Sequence, residues 1–253
     1  MKTSNHLLRR LTAALLAAVL ALSIALPVFA SDDGDTIYIN SVSDLLSLAK
    51  SCAYDQWSVG KTVILQKDLS LEGMLWEPIP SFSGQFKGNG HTISDLTITG
   101  QYSPAGLFGI VEEQGSIESL SVRGIVSVSD SADTTTGGIV GINHGTLINC
   151  QFTGVVTGDS EVGGIVGRNE SEGTIDHSTA RAIVTGKSST GGIAGYNLGA
   201  ITGCTNVGSI NTEYQEASLD TDGFTAKMVD QINNKMAAAD DDATNSVTNV
   251  RSE

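Results

Sequence analysis

The chain has 253 residues, a net charge of −14, 29 glycines, and 40% apolar against 17% charged residues. That suits one folded domain with tails and excludes both a collagen-like repeat and a chain too polar to fold. It also excludes nucleic acid as a general partner, because binding a phosphate backbone needs a basic footprint. Abundant glycine with only 5% aromatics leans towards an all-β chain with many glycine turns.

Residues 1–10 carry Lys2, Arg9 and Arg10 without an acid, residues 11–26 are almost wholly apolar, and Val28-Phe29-Ala30 completes an export-signal pattern cut after Ala30. The apolar run is shorter than the roughly 20 residues of a membrane-spanning helix. No cysteine follows it to take a lipid. The expectation is residues 1–30 as a signal peptide and a soluble secreted or cell-surface protein without membrane insertion. Loss of the three bases takes the net charge from −14 to −17, which favours solubility.

Residues 31–60 read as an N-terminal cap. Val42, Leu45, Leu46, Ala49 and Ala53 fall at helical spacing, with Ser41 or Ser43 as N-cap and Asp44 in the first turn. The pattern predicts an amphipathic helix over residues 42–53, then a strand at 61–66. Next comes the main concentration of aromatics, Trp76, Phe82 and Phe86, with Pro78 and Pro80. It reads as filling for irregular first coils. The competing reading is a ligand face on which sugar rings stack.

From here the chain repeats. Gly106-Leu107-Phe108-Gly109, Gly138-Ile139-Val140-Gly141, Gly164-Ile165-Val166-Gly167 and Gly192-Ile193-Ala194-Gly195 begin 32, 26 and 28 residues apart. Each is followed by a polar turn ending at Gly115, Gly145, Gly173 or Gly199, and then by Ile117, Leu147, Ile175 or Ile201. Further columns run Leu120, Cys150, Ser178, Cys204; Val122, Phe152, Ala180, Asn206; and the pairs Ile125-Val126, Val155-Val156, Ile183-Val184, Ser209-Ile210. Such units cannot bury their apolar faces alone, but stacked about 4.8 Å apart they form continuous buried columns. Asn143, Asn169 and Asn197 then superpose as an amide ladder, and Ser127, Thr157 and Thr185 as a hydroxyl row. Cys150 and Cys204 lie two coils apart, about 9.6 Å, beyond disulfide reach. With Cys52 they are expected to be free structural thiols.

After the repeats, Phe224, Met228, Val229 and Ile232 suggest a short helix, and residues 237–253 read as a solvated acidic tail around Asp240-Asp241-Asp242. The acid run lacks the alternation of a calcium loop.

No chemistry emerges from the remaining residues. His91, His144 and His177 lack metal-ligand spacing. Glu118, Asp176 and Thr202 share one column and Arg123, Arg181 and Val207 another, which offers at most a charged outer stripe. No cofactor, metal or catalytic residue is expected.

The four glycine-bounded segments resemble the GLUG motif of bacterial exported and surface proteins, and Gly88-Asn89-Gly90-His91-Thr92-Ile93-Ser94-Asp95-Leu96-Thr97-Ile98 is similar to the segment that often precedes it. The resemblance covers about residues 76–210. It implies a right-handed parallel β-helix of the pectin-lyase-like kind, in surface or adhesin-like proteins, and assigns no catalytic residues. The organisation read from the chain is therefore residues 1–30 signal, 31–60 cap, 61–212 all-β solenoid and 213–253 C-terminal helix and disordered tail. The expected role is a monomeric, non-enzymatic binding module for a cell-surface glycan or extracellular protein. Its rivals are a polysaccharide lyase or hydrolase of the same fold and a structural spacer or fragment of a larger surface protein.

Overall fold

In the computed structural model, residues 35–54, 56–128 and 134–211 are described. The expected signal peptide, the helix around residues 224–236 and the acidic tail lie outside them. The described chain winds as a parallel β-solenoid of about six turns with one short helix. Every inter-strand pairing is parallel, and most strands pair with strands one coil before and one coil after.

Three walls carry the stack. Sheet A holds seven short strands, Thr36–Ile39, Thr62–Leu65, Gln85–Lys87, Ser116–Glu118, Thr146–Ile148, Thr174–Asp176 and Ala200–Thr202. Sheet B holds the long ones, chiefly Thr92–Gly100, Ser121–Val128, Gln151–Thr157 and Thr179–Thr185. Sheet C holds Ile79–Phe82, Phe108–Val111, Val140–Asn143, Val166–Asn169 and Ala194–Asn197. A minor three-stranded strip, Thr136–Gly137, Val162–Gly163 and Thr190–Gly191, closes the later coils.

The register is the one the repeat dictates. Ile117, Leu147, Ile175 and Ile201 pair in succession along sheet A, Val122, Phe152, Ala180 and Asn206 along sheet B, and Phe108, Val140, Val166 and Ala194 along sheet C. Alternate side chains point inwards, so these columns build one apolar core.

The motif glycines are not turn glycines. None of the eight has a positive φ. Gly138 instead faces across the narrow coil, where a Cβ would fall on the Phe152 ring and the Gly164 carbonyl; at Gly164 it would meet Ala180 and the Gly192 carbonyl. Glycine is required there by close approach of backbone and opposite wall.

The aromatic cluster is core, which overturns the ligand-face reading. Trp76, Phe82 and Phe86 are at most 1% exposed. Phe82 and Phe86 occupy inward positions on sheets C and A, and both rings lie 5.4 Å from that of Phe108. The Trp76 indole Nε1 donates to the Leu107 carbonyl at 3.1 Å. Before the glycine motif narrows the coil there is width to fill, and large rings fill it.

Helix α1 spans Val42–Ser51, two residues shorter than its apolar spacing suggests, because Cys52 already closes it with an N–H to the Leu48 carbonyl. Ser41 caps it: its Oγ accepts from the Asp44 N–H at 3.2 Å, while the Asp44 carboxylate accepts from the Asn40 N–H at 2.9 Å. The Asn40 N–H foremost, then Ser41, holds the Asp44 carboxyl below its ordinary pKa. Leu45 and Leu48 are buried, and the helix packs on the first strands of sheets A and C. It thereby lies at the start of the stack.

Candidate ligand groove

Two ladders run inside the stack and position its corners. Asn143 Nδ2 donates to Asn169 Oδ1 at 2.7 Å, and Asn169 Nδ2 to Asn197 Oδ1 at 2.8 Å. Each amide also closes its own turn, donating to the carbonyl of Gly145, Gly173 or Gly199. Asn143 and Asn169 have no exposure, and in such surroundings a filled amide is worth more than its isolated bonds. The second ladder is Cys150, Ser178 and Cys204. The Cys150 N–H donates to Ser178 Oγ at 3.1 Å and the Ser178 N–H to Cys204 Sγ at 3.4 Å. Ser178 separates the two cysteines, and all three cysteines are free and buried. Burial pushes the Cys150 thiol up to about 12 and the Cys52 thiol up to about 11, so neither is a nucleophile at neutral pH.

Immediately before Leu120 and before each member of this second ladder the chain turns from sheet A to sheet B through a left-handed residue. Ser119, Asn149 and His177 have φ of 53°, 52° and 45°, and Gly203 follows at 63°. Asn89 takes the same conformation one coil earlier, at 53°. Asparagine and histidine tolerate this region better than most residues. The N–H groups of Ser119, Asn149 and His177 donate to the carbonyls of Ile148, Asp176 and Thr202 in the next coil. The corners therefore stack. Asn89, Asn149 and His177 are exposed and Ser119 half-buried.

Alongside runs the outer row of sheet A, where Lys87, Glu118, Ile148, Asp176 and Thr202 are register partners in succession. The two rows run side by side along the edge between sheets A and B. At one end of this edge Lys87, Asn89, Gly90, Glu118 and Ser119 line an open groove of about 470 Å³. Further along, His177 Nδ1 lies 2.8 Å from Asp176 Oδ1, with its ring against Gly203. Behind the groove, Asp68 Oδ1 accepts from the Thr92 N–H at 2.9 Å and lies 3.1 Å from His91 Nδ1. The Thr92 bond, then His91, keeps the Asp68 carboxyl below its ordinary value.

The edge as a whole offers amides, hydroxyls, one ammonium and carboxylates spaced by the coil repeat. Glu118 and Asp176 belong to it, but Arg123 and Arg181 do not. They stand on sheet B, in one row with Thr153, so the single charged stripe considered from the sequence is split over two walls. His144 lies on another corner, where its N–H meets the Val111 carbonyl. Among the described residues no three His, Cys, Asp or Glu side chains form a metal-holding group, and no helix there is long and apolar enough to cross a membrane. Asn89, Ser119 and Asn149 were not singled out from the sequence as site residues. The available signal was a polar residue directly before Leu120 and Cys150, repeated at His177 before Ser178.

Comparison with known proteins agrees with this architecture. Residues 158–185 carry the GLUG motif. The matched span is one coil of the stack. The chain is 32% identical over 155 residues to halomucin of Haloquadratum walsbyi, covering 56% of this chain and 2% of that protein. It is 29% identical over 137 residues to a protein of Evansella cellulosilytica described as a Gly-rich membrane protein, covering 39% of this chain and 16% of that one. The GLUG-bearing chain thus spans only a small part of the length of these relatives. Its fold is similar to the crystal structure of a Bacteroides ovatus protein described as an immunoglobulin A1 protease, with a TM-score of 0.54 and 21% identity over 68% of this chain and 56% of that one. That likeness is one of fold.

Proposed function

We propose that this chain is an exported, surface-located, non-enzymatic β-solenoid module that binds a glycan along the groove between sheets A and B. The carrying observation is the row of left-handed corner residues Asn89, Ser119, Asn149 and His177 beside Lys87, Glu118 and Asp176. A regular succession of amide, hydroxyl and charged groups suits an extended chain of hydroxyl-bearing units, with shallow contacts adding up along its length. Surface location is supported by the names of the relatives and by the export-signal pattern of residues 1–30. Cleavage after Ala30 would leave a mature, monomeric protein beginning at Ser31.

The test is a glycan and extracellular-protein array probed with the exported chain, beside the variant Asn149→Ala, His177→Ala. The expected result is glycan binding that the variant loses at least tenfold. Binding to proteins alone, or to nothing, would overturn the reading. Release of new reducing ends or unsaturated products from a polysaccharide would replace it with a lyase or hydrolase.

A further inference from the structure

The outer row of sheet A continues past the open groove towards the start of the stack. Tyr38, Ile64, Lys87 and Glu118 are register partners in succession, so two apolar side chains prolong the line that borders the groove at Lys87 and Glu118. Tyr38 is 50% exposed and Ile64 half-buried. Their strand neighbours Ile39, Val63 and Leu65 have no exposure, and strand alternation therefore turns Tyr38 and Ile64 outwards. Other rings are engaged elsewhere. Trp76, Phe82 and Phe86 fill the core, Trp57 lies 5.4 Å from Lys61 Nζ, and Tyr196 lies 5.0 Å from the Arg168 guanidinium.

Polar groups flank this apolar strip on both sides. Two residues back along each strand, on the same face, a second row runs Thr36, Thr62, Gln85 and Ser116. On the other side stands the Asn89 amide, held to the Ile64 coil because its Nδ2 donates to the Leu65 carbonyl at 3.2 Å. An apolar surface between rows of hydroxyls and amides complements a pyranose ring, which has an apolar C–H face and a rim of hydroxyls.

Charge narrows the class of sugar. Lys87 is followed in its row by Glu118, and Lys61 Nζ lies 3.5 Å from Asp35 Oδ1. Each cation near the strip thus has a carboxylate beside it, and the chain as a whole carries −14. Such a field repels a carboxylated or sulfated glycan.

We propose that Tyr38 and Ile64 form a stacking platform at the groove end of the edge, and that the ligand is an uncharged glycan whose pyranose rings lie along the solenoid axis. This rests on the glycan reading above and adds to it the class of sugar and the side chains on which the rings sit. Three coils separate Tyr38 from Glu118, about 14 Å, so linked rings occupy platform and groove together.

The test titrates the full exported chain with cellohexaose, xylohexaose and mannohexaose as uncharged probes and with hexagalacturonate as the charged one. The expected result is that an uncharged probe binds at least tenfold tighter than hexagalacturonate, with an affinity that added salt leaves unchanged. Tyr38→Thr should weaken that binding at least tenfold, and Ile64→Thr severalfold, while Tyr38→Phe stays within about threefold of the parent. Threonine suits an outward strand position, and an unaltered melting curve establishes that each variant is folded. Binding that Asn149→Ala, His177→Ala abolishes but Tyr38→Thr and Ile64→Thr leave intact would overturn the platform and spare the glycan reading. Tighter binding of hexagalacturonate would overturn the uncharged class, and binding of no glycan would overturn the reading and the platform together.

Discussion

Gly138 lies against the ring of Phe152 so closely that a methyl group has no room between them. The same position is Gly164 facing Ala180 in the next coil and Gly192 facing Asn206 in the one after. Gly138→Ala is expected to destabilise the fold by about 1–3 kcal/mol, as overpacking of a filled core does. In a Phe152→Leu background the cost should shrink without vanishing, since the Gly164 carbonyl remains in the way. A urea-melting double-mutant cycle reads the difference, and strictly additive costs would contradict the contact.

Asn169 is both donor and acceptor in the amide ladder, so its loss strands two neighbours. Asn169→Leu removes the acceptor of Asn143 and the donor to Asn197. Buried polar groups left without partners cost about 1–3 kcal/mol each, and the urea midpoint should fall accordingly. Asn197→Leu, at the half-buried end of the ladder, is expected to cost less.

Ile165 is wholly buried in the third glycine motif. Ile165→Ala should cost about 2–5 kcal/mol through lost transfer energy and the cavity left behind. A melting curve indistinguishable from the parent would contradict its inward placement.

The buried thiols give a pH signature at the alkaline end. Cys150 is held protonated up to about 12 in the folded chain against an ordinary value of 9.0. The unfolded chain thus releases its proton first, so stability is full below pH 9 and declines as pH rises from 9 towards 12. Relative to the parent, Cys150→Ala should show a shallower decline of the melting temperature between pH 8.5 and 10.5. Below pH 8 the difference between the two proteins should be constant.

The cap of α1 makes a separate prediction. Ser41→Ala should cost about 0.5–2 kcal/mol, and hydrogen exchange should quicken first in the opening turn of the helix.

The stack was legible because its signal is redundant. Four copies of a glycine-bounded motif, each followed at fixed distances by the same apolar positions, leave one register in which every column is buried, and Ile117, Leu147, Ile175 and Ile201 occupy it. The function of the motif glycines was not legible, because the space they vacate is taken by Phe152 or Ala180 from a wall that only the closed coil brings near. The groove escaped for a related reason: its residues are defined by a left-handed backbone, and Ser119 in particular carries no turn preference strong enough to announce one. Trp76, Phe82 and Phe86 were ambiguous in sequence because core and sugar platform use the same rings. The inward register of Phe82 and Phe86 and the burial of Trp76 decide it.

Asn143 and Asn169 each hand an amide hydrogen in one direction, to the asparagine of the next coil, and Asn197 ends the series as acceptor. Where the preceding coil holds Val111 in register with Asn143, the series stops. Such a one-way series sets a rule for growth by duplication. A whole extra winding carrying Gly-apolar-apolar-Gly and an asparagine two residues on could be spliced between existing ones without disturbing either flank, whereas a single residue added within a strand would turn the side chains beyond it to the wrong surface. The uneven spacing of the motifs is accordingly taken up at the turns, as between Asn169 and Thr174, which are two residues further apart than Asn143 and Thr146.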